Sequence, residues 1–129
     1  MISEADLQVA VDAILDGNIS AQVWDGAPEG TPTPYIDIGV SNSIPEDAHD
    51  QDGQDIEFTL HIWDDQNGSD RVKRVAAEID ALLNHQWVTF AGGRAWLSRS
   101  LFEVIQEREP DGKTWRHGVL RYRARSHEV

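Results

Sequence analysis

The sequence predicts an α+β domain in two layers: a mostly antiparallel sheet with two helices packed on it, in the order α-β-β-β-α-β-β-β. Three observations predict it. Two segments carry apolar residues at helical spacing, and the segments around them alternate polar and apolar residues at strand spacing. The last strands are joined by tight-turn sequences, which favour antiparallel neighbours that two helices can cover on one face. The 129 residues suit one domain, 1–129, able to bury about two-thirds of its unfolded surface. No internal repeat or domain boundary interrupts it.

Ser3-Glu4-Ala5-Asp6 has the spacing of a capping box, with the Ser3 hydroxyl accepting from an early backbone N–H and Asp6 reaching back. Leu7, Ala10, Val11 and Ile14 follow at helical spacing, and Gly17 suits a left-handed cap, so 4–16 read as an amphipathic helix. Val23-Trp24-Asp25-Gly26 is a short extended piece, and the prolines of 27–34 bar helix. In 35–40, Ile36, Ile38 and Val40 share one strand face. Residues 41–55 are turn formers and acids and read as an exposed acidic loop. Ile56, Phe58, Leu60 and Ile62 then alternate with Glu57, Thr59, His61 and Trp63, the strongest strand signal in the chain.

Asp64 to Gly68 breaks that strand, and Ser69 is placed to cap a second helix with the stripe Val72, Val75, Ala76, Ile79, Leu82 and Leu83. Val88-Thr89-Phe90 and Ala95-Trp96-Leu97 flank Gly92-Gly93, a tight hairpin turn. A strand from Trp96 to about Glu107 meets the turn Pro110-Asp111-Gly112. The closing strand, 114–126, places Gly118, Leu120, Tyr122 and Ala124 on one face, and Val119, Arg121, Arg123 and Arg125 on the other.

Charge is unevenly spread. The chain has 23 Asp+Glu against 11 Lys+Arg, a net −12. Residues 1–70 hold sixteen carboxylates and no Lys or Arg, whereas 71–129 hold seven carboxylates and all eleven basic residues. A polyanion would be repelled by most of such a surface, which argues against a free-standing nucleic-acid binder. Without cysteine there are no disulfides, thiolate nucleophiles or Cys-ligated zinc sites, as suits a reducing interior or an assembled particle. No apolar run is long enough to span a bilayer, and Met1-Ile2-Ser3-Glu4 lacks the basic start of a secretory signal.

The sequence offers no active site and implies no cofactor. An EF-hand reading anchored on Gly53 puts Ala48 and Thr59 where oxygen ligands belong, so no metal site is expected there. The five histidines have no short ligand spacing; His61 and His117 lie on strands that can bring them together, without a third ligand. Asp64-Asp65 read as turn and near-cap residues rather than an acid/base pair. Phosphate-loop and Gly-x-Ser-x-Gly patterns are absent. The five tryptophans are many for this length, and some are expected in the core. Trp63 and Trp115 instead fall on outer strand faces, Trp115 beside Arg121, Arg123 and Arg125, which is anchor chemistry for a protein interface. A third packing layer or an intrachain cation–π pair is the competing reading. The arginines are expected to meet carboxylates, across the sheet at Glu103 and Glu107 or on a neighbouring subunit, rather than phosphates.

Val23-Trp24-Asp25-Gly26, the Pro-rich link into Pro34-Tyr35-Ile36-Asp37-Ile38-Gly39, and Leu60-His61-Ile62-Trp63 before a Gly-led helix resemble the tail-completion family of long-tailed bacteriophages and phage-like gene transfer agents. The closing stretch from Pro110 to Ala124 is similar to that family's last hairpin, with Asp64 where the family usually has serine. The resemblance implies a non-enzymatic virion protein at the head–tail junction: a tail terminator forming a hexameric ring. Such a ring would cap the tail tube protein, end its polymerisation and dock onto the head-completion (stopper) protein of the neck, with DNA passing through. Another neck or minor tail protein, or an unrelated cytosolic interaction module, is the alternative. Two expectations follow. Trp63, Trp115, Arg121, Arg123 and Arg125 would lie at the subunit interface, with intrachain pairing of the arginines as the rival. The acids Glu46, Asp47, Asp50, Asp52, Asp55 and Glu57 would line the DNA channel or face the tail tube.

Overall fold

The computed structural model describes residues 4–38, 42–45 and 54–128; at 42–45, 54 and 126–128 the backbone alone is described. The order is α1 (Glu4–Leu15), β1 (Gln22–Trp24), β2 (Tyr35–Ile38), β3 (Asn42–Pro45), β4 (Gln54–Asp64), α2 (Asp70–Leu83), β5 (Gln86–Phe90), β6 (Gly93–Arg108) and β7 (Thr114–Glu128). This is the predicted α+β order with one further strand. β3 pairs antiparallel with the start of β4, Asn42 opposite Glu57 and Pro45 opposite Gln54. The predicted loop 41–55 is therefore strand at both ends, because Ser43 and Ile44 can complete the ladder of an already extended β4. Its middle, 46–53, lies outside the described residues, as does the Ser3 end of the capping box.

The strands form one sheet in the order β1-β2-β4-β7-β6-β5, with β3 beside β4 in line with β2. Only the β1–β2 pair is parallel among those described. Both helices cover one face. α1 buries Leu7, Val11 and Leu15, with Ala10 and Ile14 half-buried beside them, and α2 buries Val72, Val75, Ala76, Ile79 and Leu83. Against them the sheet sets Ile36, Ile56, Phe58, Leu60, Ile62, Val88, Leu97, Leu120 and Tyr122. The alternation of β4 and β7 thus chose the buried face correctly. Gly118, on that face, lets α2 approach closely: a Cβ there would lie 2.6 Å from Val72 Cγ1.

Polar groups fix the joints. Asn18 Nδ2 donates to Ile14 O at 2.9 Å, and Gly17 takes φ 76°, closing α1 as its sequence predicts. Ser69 makes no side-chain cap to α2, unlike its expected role; its carbonyl accepts from Lys73 N at 3.0 Å. The buried Tyr122 hydroxyl donates to Asp80 Oδ1 at 2.8 Å, tying β7 to α2, and Arg99 approaches the same carboxylate at 3.3 Å. Burial and that carboxylate push the Tyr122 phenol far above its usual range. The β5–β6 turn is Ala91-Gly92, one residue earlier than predicted: Phe90 pairs with Gly93, and Gly92 supplies φ 89°. The β6–β7 turn closes on Glu109 N to Lys113 O at 2.7 Å, with Gly112 at φ 94°.

Candidate functional site

The candidate site is the helix-free face of the sheet. Strand register determines who stands there. Trp24 pairs with Asp37, Asp37 with His61, His61 with Val119 and Val119 with Glu103; Tyr35 pairs with Trp63 and Trp63 with His117. Directly opposed residues share a face, so these side chains all turn away from the helices. Trp115 opposite Glu107, and Trp87 opposite Trp96 opposite Arg125, continue the same face. All five tryptophans therefore stand on it, and none belongs to the buried core. The expectation that some are core is corrected: strand register turns every tryptophan to the face opposite the helices, and the helix-backed core is built from aliphatic residues, Phe58 and Tyr122.

At one end of the face, the His117 ring stacks on Trp63 with centroids 3.9 Å apart and planes within 9°. Trp63 meets Trp115 edge-on at 6.1 Å. Trp115 Nε1 donates to Glu109 Oε1 at 2.9 Å, and Lys113 Nζ lies 4.3 Å from its ring centre. His61 Nδ1 and His117 Nε2 are 2.6 Å apart, and His117 Nδ1 is 3.1 Å from Glu107 Oε2. The histidines do meet, and Glu107 is the neighbour their sequence spacing could not reveal. Burial is the leading cause that lowers both imidazole pKa values; for His117 the carboxylate of Glu107 opposes it and His61 reinforces it. At 2.6 Å one of the facing nitrogens donates and the other accepts, so the contact holds a single proton. Among the described residues no group of three or more His, Asp or Glu side chains is arranged to hold a metal ion.

In the middle of the face runs the arginine ladder. Arg121 stands opposite Thr59, Arg123 opposite Glu57 and Arg125 opposite Asp55. Arg123 approaches Glu57 Oε1 at 3.6 Å. Asp55, expected at the end of the acidic loop, is thus a β4 residue like Glu57, and both stand beside the arginines. The carboxylates across the sheet are these two; Glu103 and Glu107 oppose Val119 and Trp115 instead. Glu46, Asp47, Asp50 and Asp52 lie outside the described residues.

At the far end, Trp87 meets Trp96 edge-on at 5.3 Å, the Arg94 guanidinium sits 4.1 Å from the Trp87 ring centre, and His85 stacks on Trp96. Sequence alternation alone indicates Trp96, since Ala95 and Leu97 flank it and are buried. A bulge between Arg99 and Leu101 hides the rest of β6, because it moves the inward parity from odd to even residues.

Asp64 and Asp65 form neither a cap nor an acid pair. Asp64 is fully buried; Arg71 Nε donates to both its oxygens at 3.1 Å, and Arg71 Nη2 contacts Oδ1. Asp65 accepts from the Thr33 hydroxyl at 2.6 Å, the leading cause that lowers its pKa, and lies 3.8 Å from Lys113. The two carboxylates pin the Pro-rich link and the β6–β7 turn to the start of α2.

The molecule is an α+β subunit with helices on one side and an aromatic, charge-laddered sheet on the other. A chain in a solved structure described as "Virion of native gene transfer agent (GTA) particle" shares this fold, with a TM-score of 0.77 and 22% identity over 95% of each chain. No curated protein matches the chain. The model of the family Tail completion protein gp17 matches residues 6–127, and the chain belongs to that family. It is accordingly a structural tail protein of a virion or phage-like particle, with its place at the head–tail junction.

Proposed function

We propose that this tail protein is a ring-forming tail terminator. Six copies close head to tail, cap the tail tube, end its polymerisation and join it to the head-completion protein of the neck, and DNA passes through the lumen. The role is structural rather than catalytic. The observation that carries the reading is the placement of all five tryptophans on the helix-free face, where a monomer gains least from them and a protein partner gains most.

Trp63, Trp115, Arg121, Arg123 and Arg125 belong to the subunit contact in this reading. Arg123 has Glu57 beside it in its own chain, but a guanidinium carries five donors, and one carboxylate at 3.6 Å leaves most of them for a neighbour. The acids Glu46, Asp47, Asp50 and Asp52 face the channel or the tube, where negative charge keeps DNA sliding without adhesion; Asp55 and Glu57 go with the arginine ladder. The test is Arg121→Glu/Arg123→Glu, sized by light scattering and viewed by negative stain with tail tube protein added. The expected result is loss of rings; rings of unchanged size overturn the arginine contact. Asn at 47, 50 and 52 should slow DNA ejection, and unchanged ejection across salt would remove the channel role.

A further inference from the structure

The sheet ends differently on its two sides. β5 covers β6 only along Gly93–Leu97, and Asn84 Oδ1 accepts from Arg99 N at 2.9 Å just beyond it. From Ser100 to Arg108, no strand among the described residues pairs with β6 on that side. That is an open backbone edge about 30 Å long at ~3.3 Å per residue. Natural sheets seldom leave such an edge uncovered, since its free N–H and C=O groups are a template for another strand. Ile105, on this stretch, is 39% exposed.

A second feature adjoins the edge. α2 continues past the end of β5, and between it and β6 lies an open cleft of about 420 Å³. Ala76, Ala77, Ala81 and Phe102 give it an apolar lining, and Lys73, Asn84 and the Asp80–Arg99 pair supply the polar part. It has the position that the inward side chains of one more strand would occupy, between the helix layer and a continued sheet.

The opposite end of the sheet is β1, whose outer edge is likewise unpaired among the described residues. The sheet order turns the charge split into a spatial one: β1 to β4 come from the half without Lys or Arg, and β5 to β7 from the half that holds all eleven. We propose that the open edge of β6 and the cleft beneath it receive β1 of a second copy, so that the sheet of one subunit continues into the next. The inference deepens the ring reading and rests on it. Val23 shares the helix-side face with Ile36, so in a continued sheet it enters the cleft beside Ala77 and Ala81. Gln22 and Trp24 extend the aromatic face. An edge that accepts at one end and donates at the other is a heterologous contact, the kind that closes into rings.

Two variants test it in the full chain. Ala77→Trp fills the cleft from an exposed helix position, and a melt matching the wild type confirms that it folds. It should weaken self-association about tenfold or more, as blocking a central contact does. The chain has no cysteine, so Gln22→Cys/Glu103→Cys reports contact without background. Within one chain these positions are four strand spacings apart, about 19 Å along the sheet, beyond a short bismaleimide. Assembled at high concentration or on tail tubes, the pair should give a ladder of covalent multimers that Ala77→Trp abolishes. Rings that form but yield only uncross-linked chains, or an Ala77→Trp protein that assembles like the wild type, overturn the strand contact alone. A wild type that never forms rings overturns the terminator reading and this contact with it.

Discussion

Gly118→Ala is the sharpest probe of how the helix layer seats on the sheet. The added Cβ would lie 2.6 Å from Val72 Cγ1, 3.2 Å from Ile62 Cβ and 3.4 Å from Ile62 Cδ1. Neither neighbour can easily yield. Val72 is β-branched and in a helix, which leaves it essentially one χ1 rotamer, and the Ile62 Cβ is fixed to the backbone of a central strand. Overpacking of this kind costs about 1–3 kcal/mol. Gly118 is not in the left-handed region, so alanine recovers about 0.4–1 kcal/mol through the unfolded chain. The net expectation is a loss of about 1–2 kcal/mol, read as a shifted urea midpoint with unchanged slope. At roughly 2 cal/mol/K of unfolding entropy per residue, Tm falls by about 4 °C for each kcal/mol. Val72→Ala costs about 2 kcal/mol alone through lost burial and a cavity. Combined with Gly118→Ala it should cost less than the two separately, by about 1 kcal/mol, because the alanine Cβ enters the space that valine vacates. Additive losses, or a Gly118→Ala protein as stable as the wild type, would refute the close approach of α2 to β7.

Two further outcomes follow from the same geometry. Arg71→Ala strands the fully buried Asp64 without its cation and should cost about 3 kcal/mol in denaturant titration, the lower end for such pairs because the Arg71 side chain is itself 38% exposed; a loss below about 1 kcal/mol would mean the pair holds nothing. His61 and His117 both titrate below their unfolded value of 6.5, so the unfolded chain binds the extra protons: their contribution is intact above pH 6.5 and is lost as pH falls from there through the folded values, and His61→Gln/His117→Gln should flatten the stability slope between pH 7 and 5.

The fold was legible wherever one face of an element is buried. β4 and β7 alternate strictly because α2 covers one side of each, so Ile56 to Ile62 and Gly118 to Ala124 declare the core outright. α2 is legible for the same reason. β3 was not, because four residues beside turn formers become a strand only when a long neighbour offers its ladder. β6 shows itself as a strand but not which way its second half faces, because the bulge at Arg99/Leu101 reverses its parity. The outer tryptophans are partly legible: Trp63, Trp115 and Trp96 follow from the alternation of β4, β7 and the start of β6, while Trp24 and Trp87 need the register that joins six strands into one face. Glu107 could not be tied to His117 from sequence, since ten residues and a turn separate them.

The charge split takes its meaning from strand order. Had acidic and basic strands alternated across the sheet, the chain would neutralise itself locally and its two edges would be equivalent. The order β1-β2-β4-β7-β6-β5 instead meets the other half only at β4–β7, where Glu57 faces Arg123 and Asp55 faces Arg125. The edge strands themselves carry no charge, Gln22 to Trp24 at one end and Gln86 to Phe90 at the other, and the open stretch of β6 sets Glu103 and Glu107 against Arg108. The two edges differ in form instead: β1 is three residues long, whereas β6 runs unpaired by β5 from Ser100 to Arg108. An edge of one kind meeting an edge of the other is a head-to-tail contact, the heterologous kind that closed rings use.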